Sequence, residues 1–167
     1  MRLMSKMMLG ASLLAIGLLL GGCHNASNTE KIDSLKKQVT VDAQILQDLE
    51  EKEFPLLEKD FIACDSMLQY LTEEQVNQSF EKLRLVQAYL EQFKVTKPMI
   101  QADMDTTLLQ LDRLKADAES HYLSDSLVTV YMEDEIKCVD KISSQVQYFQ
   151  DRFGKCRKDL DILKKQK

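Results

Sequence analysis

From Cys23 to the last residue, Lys167, only Pro55, Pro98 and Gly154 are residues that break regular structure. The other four glycines, Gly10, Gly17, Gly21 and Gly22, all lie in the first 22 positions. A β-rich fold of this length needs many tight reversals and the turn residues that make them, so strands are excluded and long helices are predicted. Residues 30–167 are enough for one domain that buries a continuous core without disulfides or metal.

The apolar residues repeat with helical spacing. Ile32, Leu35, Val39, Leu46 and Leu49 form one stripe, with Asp42 as its single polar interruption, and Leu57, Phe61, Cys64, Leu68 and Leu71 form another beyond Pro55. The steps 49, 53, 57 make a stutter between them, and Pro55 predicts a kink near Glu53–Pro55. Thr72-Glu73-Glu74-Gln75 reads as a capping box that opens a helix burying Val76, Phe80, Leu83, Val86, Leu90 and Phe93. Thr96-Lys97-Pro98 reads as the start of another, burying Ile100, Met104, Leu108, Leu111, Leu114 and Ala118. The last stripe, Val139, Ile142, Val146, Phe149, Phe153, Cys156, Leu160 and Leu163, alternates steps of four and three in a coiled-coil-like seam, with a local bend or fraying predicted at Gly154.

Two long helices (30–71 and 126–165, each roughly 60 Å) and two short ones (73–94 and 98–118) follow from a rise of about 1.5 Å per residue. The expected fold is all-α: an elongated antiparallel bundle of about four helices running up, half down, half up and fully down, which returns the C-terminus to the N-terminal end.

The first 22 residues have the form of a targeting signal. Arg2 and Lys6 make a positive n-region, and Met7 to Leu20 is an uncharged apolar run of signal-peptide length, too short to span a bilayer. It ends in Leu20-Gly21-Gly22-Cys23, which resembles the bacterial lipobox. That resemblance implies cleavage before Cys23 and acylation of its sulfur, with the two or three chains together holding the protein stably to a membrane. The competing readings are an ordinary signal peptide with an incidental cysteine, or an uncleaved anchor. Residues 23–29 are polar and read as a tether. With His24 rather than aspartate after the cysteine, the resemblance to Gram-negative lipoproteins implies transit to the outer membrane.

Residues 152–167 carry Arg152, Lys155, Arg157, Lys158, Lys164, Lys165 and Lys167 against two carboxylates, whereas residues 23–151 hold 13 cations and 25 carboxylates. In the four-pass topology this basic tail lies near the membrane, where it could contact an anionic surface. Alternatively, the cations complement the last helical turn and keep it soluble. Cys64, Cys138 and Cys156 remain after lipidation. Cys64 with Cys138 is the best candidate disulfide, since Cys138 and Cys156 are about 27 Å apart on one helix; the alternative is three reduced thiols packed as small apolar residues. His24 and His121, the only histidines, lack ligand spacing, so neither a metal site nor a cofactor is expected. Consecutive carboxylates at 50–53 and 133–135 point in different directions on a helix. No nucleophile elbow or phosphate loop is present, which makes catalysis the least supported class.

The layout resembles the small all-helical bacterial lipoproteins of unassigned activity and, more loosely, the cell-wall-binding lipoproteins, through Glu51-Lys-Glu-Phe-Pro-Leu-Leu-Glu-Lys-Asp-Phe61. That resemblance carries over no catalytic residue. Two functions compete: a tethered helical scaffold that meets an envelope protein partner, and a module that binds a cell-wall component or an amphiphile in a groove edged by Tyr70, Tyr89, Tyr122, Tyr131 or Tyr148. Nucleic acid has no place as a partner outside the cytoplasm.

Overall fold

The structure, a computed structural model, describes residues 27–70 and 72–165; the signal segment, Cys23, the rest of the tether to Ala26, Leu71 and Lys167 lie outside them. The described residues are all-helical: α1 (Asn28–Asp48), a π-turn (Leu49–Glu53), α2 (Phe54–Met67), a 3₁₀ turn (Leu68–Tyr70), α3 (Glu73–Glu119) and α4 (Asp125–Lys164).

α1 begins at Asn28, two residues before the expected helix start at residue 30, because Ser27-Asn28-Thr29-Glu30 is a complete capping box. The Glu30 amide donates to Ser27 Oγ at 3.3 Å and the Ser27 amide donates to Glu30 Oε2 at 2.8 Å, satisfying two donors that a helix start otherwise leaves unpaired.

The kink expected near Pro55 takes the form of the π-turn. In an unbroken α-helix the eight residues from Leu49 to Leu57 would rotate the apolar seam by roughly 80° out of line. A π-turn absorbs one extra residue, and here the Phe54 amide reaches back five residues to the Leu49 carbonyl. Pro55, which has no amide to offer, then sits in the first turn of α2. Leu49, Leu57 and Cys64 are consequently all buried.

At Pro98 the expectation fails. The two short helices are one 47-residue helix, α3, that runs through the proline. Pro98 and Lys94 are both exposed, so the carbonyl deprived of its partner by the proline lies on the solvent side, where water can take up the lost bond. The buried stripe also crosses the proline in phase, since Phe93 and Ile100 are seven residues apart and both buried. Burial on both sides of Pro98 therefore outweighs its local cost of about 3 kcal/mol.

One helix in place of two changes the topology to three passes. Lys36–Asp112 (2.5 Å), Lys115–Asp33 (2.7 Å), Lys97–Glu50 (2.8 Å) and Lys94–Glu58 (3.1 Å) set α1–α2 antiparallel to α3. Asn28 with the Asp125 carbonyl (3.4 Å), Arg157 with Glu53, and Lys164 with Asp60 (2.6 Å) set α1–α2 parallel to α4. Lys141–Asp103 (2.8 Å) ties α3 to α4. Exposed pairs like these contribute at most about 1 kcal/mol each; their pattern records the register. The rod is about 60 Å long by the length of α4, and the C-terminus lies at the end opposite Ser27, not beside it.

The core runs the length of the rod. At its centre the Phe93 ring meets Phe153 at 4.9 Å, Phe149 at 5.2 Å and Phe54 at 5.6 Å, joining all three passes. Phe80, expected inside, is 55% exposed, and Ser79 is buried in its place. The phase of Leu83, Val86 and Leu90, extended back four residues, arrives at Ser79.

α4 continues through Gly154, where no bend is needed and an added Cβ would meet nothing within 4 Å. Gly154→Ala is expected to stabilise the fold by about 1 kcal/mol, measured by urea unfolding, because alanine removes the glycine's entropic cost in a helix.

Candidate functional site

The seven candidate cations do not form one basic face. The Arg152 guanidinium stacks between the rings of Tyr148 (4.8 Å) and Tyr89 (5.0 Å), and Tyr148 Oη donates to Gln92 Oε1 at 3.0 Å. Arg157 pairs with Glu53 and Lys164 with Asp60. Lys155, Lys158 and Lys165 are exposed, and Lys167 lies outside the described residues. The six described cations run from Arg152, beside the central phenylalanines, to Lys165 just past the end of α4, all in the half of the rod away from Ser27. The premise that placed them at the membrane, a C-terminus returning to the N-terminal end, does not hold in a three-pass rod.

The expected Cys64–Cys138 disulfide is absent for the same reason. It required antiparallel long helices, whereas α1–α2 and α4 are parallel. Cys64 Sγ lies 3.8 Å from the Leu160 carbonyl, near the C-terminal end of α4. Cys138 is exposed about 33 Å further down the same helix, given 22 residues at about 1.5 Å each. All three described cysteines are free thiols. Burial raises the pKa of the Cys64 thiol and pushes Cys156 up to about 11, so both are protonated at neutral pH and poor nucleophiles. They act as small core residues.

Two carboxylates sit at or beside the seam. Asp42, 4% exposed, accepts from Ser143 Oγ at 2.5 Å and from Gln38 Nε2 at 3.3 Å on each oxygen. This links the first and last passes through a charge-assisted hydrogen bond. Glu135 stands between Met132 and Val139 in the three-and-four spacing of α4. Its Oε2 is buried with no hydrogen-bond partner among the described residues. Desolvation and, secondarily, Asp134 raise its pKa. A carboxyl whose pKa is raised on folding binds its proton more tightly in the native state. Its contribution therefore favours the fold at low pH and is lost as pH rises through the folded pKa. Glu135→Leu, which completes the apolar seam, is expected to stabilise the protein at pH 7 by about 1–2 kcal/mol. The gain should shrink when melting is repeated near pH 4, where the native glutamate is protonated.

The five tyrosines do not converge on one groove. Tyr89 and Tyr148 are filled by Arg152; Tyr70 and Tyr122, each 80% exposed, stand at opposite ends of the rod; Tyr131 is half exposed near the start of α4. His121 lies in the α3–α4 turn with φ 54°. There its amide donates to the Ala118 carbonyl while the Tyr122 amide donates to that of Asp117, a Schellman closure of the helix. Among the described residues, no three His, Cys, Asp or Glu side chains gather to hold a metal ion, and no helix is long and apolar enough to cross a membrane. No family model, curated protein or solved structure matches the chain.

Proposed function

We propose that this protein is a lipid-anchored component of the bacterial cell envelope, a coiled-coil-like helical strut that holds an interaction surface away from the membrane and performs no chemistry of its own. The observation that carries the reading is Leu20-Gly21-Gly22-Cys23 at the end of a signal-like segment, four residues before the capped start of a rigid rod. A diacylated or triacylated cysteine gives stable attachment without a membrane span. His24 after the cysteine favours the outer membrane. The long three-pass rod suits a spacer, and the tyrosine pair occupied by Arg152 removes one edge that a ligand-binding groove would use.

Cys23→Ser is expected to move the protein from the membrane pellet to the soluble fraction of cells, with the fold unchanged by circular dichroism. A variant that stayed fully in the pellet would sink the anchoring claim. Crosslinking in cells followed by mass spectrometry then tests the scaffold role. A recurrent envelope protein supports it, and recovery of wall fragments alone points to the glycan-binding alternative.

A further inference from the structure

We infer that the α3–α4 turn and the first two turns of α4 form a second, non-covalent membrane contact, in which Tyr122, Leu127, Val130 and Tyr131 enter the head-group layer beside the acylated cysteine. The inference rests on the lipid-anchor reading and adds an orientation to it.

Two observations place this surface at the bilayer. Asn28 Nδ2 donates to the Asp125 carbonyl at 3.4 Å, so the start of α1 and the start of α4 form one end of the rod. Cys23 is four residues from Ser27, a link that spans no more than roughly 14 Å when fully extended. An acylated Cys23 therefore holds this end, and not the other, within reach of the lipid surface.

The side chains there fit that medium. Tyr122 projects from the turn at 80% exposure, and Leu127, Val130 and Tyr131 are each about half exposed. Residues 127, 130 and 131 are neighbours on one helix face. Leu127 to Tyr131 covers about 6 Å of helix, comparable to the roughly 5–10 Å depth of an interfacial apolar contact. Tyrosine suits the boundary because its ring is apolar and its hydroxyl stays wet. Glu119, Asp125, Glu133 and Asp134 lie close by in sequence, so attraction to anionic lipid is not the driving term. The contact is an apolar insertion among head groups.

The chain contains no tryptophan, so Tyr122→Trp introduces a single fluorescent reporter at this end and Tyr70→Trp one at the other. Each full-length acylated variant is reconstituted into phosphatidylethanolamine–phosphatidylglycerol vesicles with brominated acyl chains, and flotation is scored in parallel. The expected result is a roughly two-fold or greater loss of emission for Tyr122→Trp relative to non-brominated vesicles, unchanged in high salt, and no loss for Tyr70→Trp. A protein that floats with the vesicles while Tyr122→Trp is unquenched overturns the contact and leaves the anchor intact. Quenching of Tyr70→Trp instead overturns the orientation. An acylated protein that fails to float overturns the anchor reading and this inference with it.

Discussion

Phe93→Ala is expected to cost about 3–5 kcal/mol of folding stability, which lowers the melting temperature by roughly 10–15 °C for a domain of this size. The Phe93 ring contacts rings from the other two passes, Phe54 on one side and Phe149 and Phe153 on the other. Truncation leaves a cavity that three separate helices would have to move to fill, and the stacked and edge-on ring contacts are lost with it. Phe80→Ala is the control. Phe80 is the same residue type on the same helix but 55% exposed, and its truncation is expected to change stability by no more than about 0.5 kcal/mol. Urea unfolding followed by circular dichroism measures both. Similar losses for the two would mean that the phase of α3 is not as described.

Ser143→Ala is expected to destabilise by about 2–3 kcal/mol, a large loss for the removal of one oxygen atom. The Ser143 hydroxyl donates to the buried Asp42 carboxylate at 2.5 Å, and without it Asp42 keeps only the longer contacts from Gln38 at 3.3 Å. The loss reflects a charge left without a close partner more than the worth of the bond itself. Asp42→Ala in the Ser143→Ala background should therefore cost less than Asp42→Ala alone. Strict additivity in that cycle would show that the two side chains are not coupled.

Several features were legible in the sequence because they depend on local periodicity. The seam of α4 from Val139 to Leu163 is buried throughout at the predicted positions, and the stutter before Pro55 marked the π-turn. Ser27-Asn28-Thr29-Glu30 was equally readable as a capping box, but the polar character of the tether masked it. Pro98 misled because Thr96-Lys97-Pro98 has the local chemistry of a helix start, while the seven-residue step from Phe93 to Ile100 carried the opposite message. A proline's effect is decided by whether the stripe on either side of it stays in phase, which is a longer-range property than a cap.

The continuity of α3 through Pro98 has consequences along the whole rod. The number of passes fixes whether the first and last helices are parallel, and so whether Cys64 can approach Cys138 and whether residues 152–167 approach the N-terminus. Neighbours across a bundle depend on a count of reversals, which a local pattern does not carry. The run of three carboxylates at 133–135 hides the fact that Glu135, between Met132 and Val139, falls in the spacing of the seam.

Because the rod makes an odd number of passes, the two ends of the chain lie at opposite tips. A fluorescent or affinity domain fused after Lys167 would be carried about 60 Å from the tip that bears Ser27. One inserted in the α3–α4 turn would sit at the Ser27 tip. An even number of passes would have put both ends of the chain on the same side.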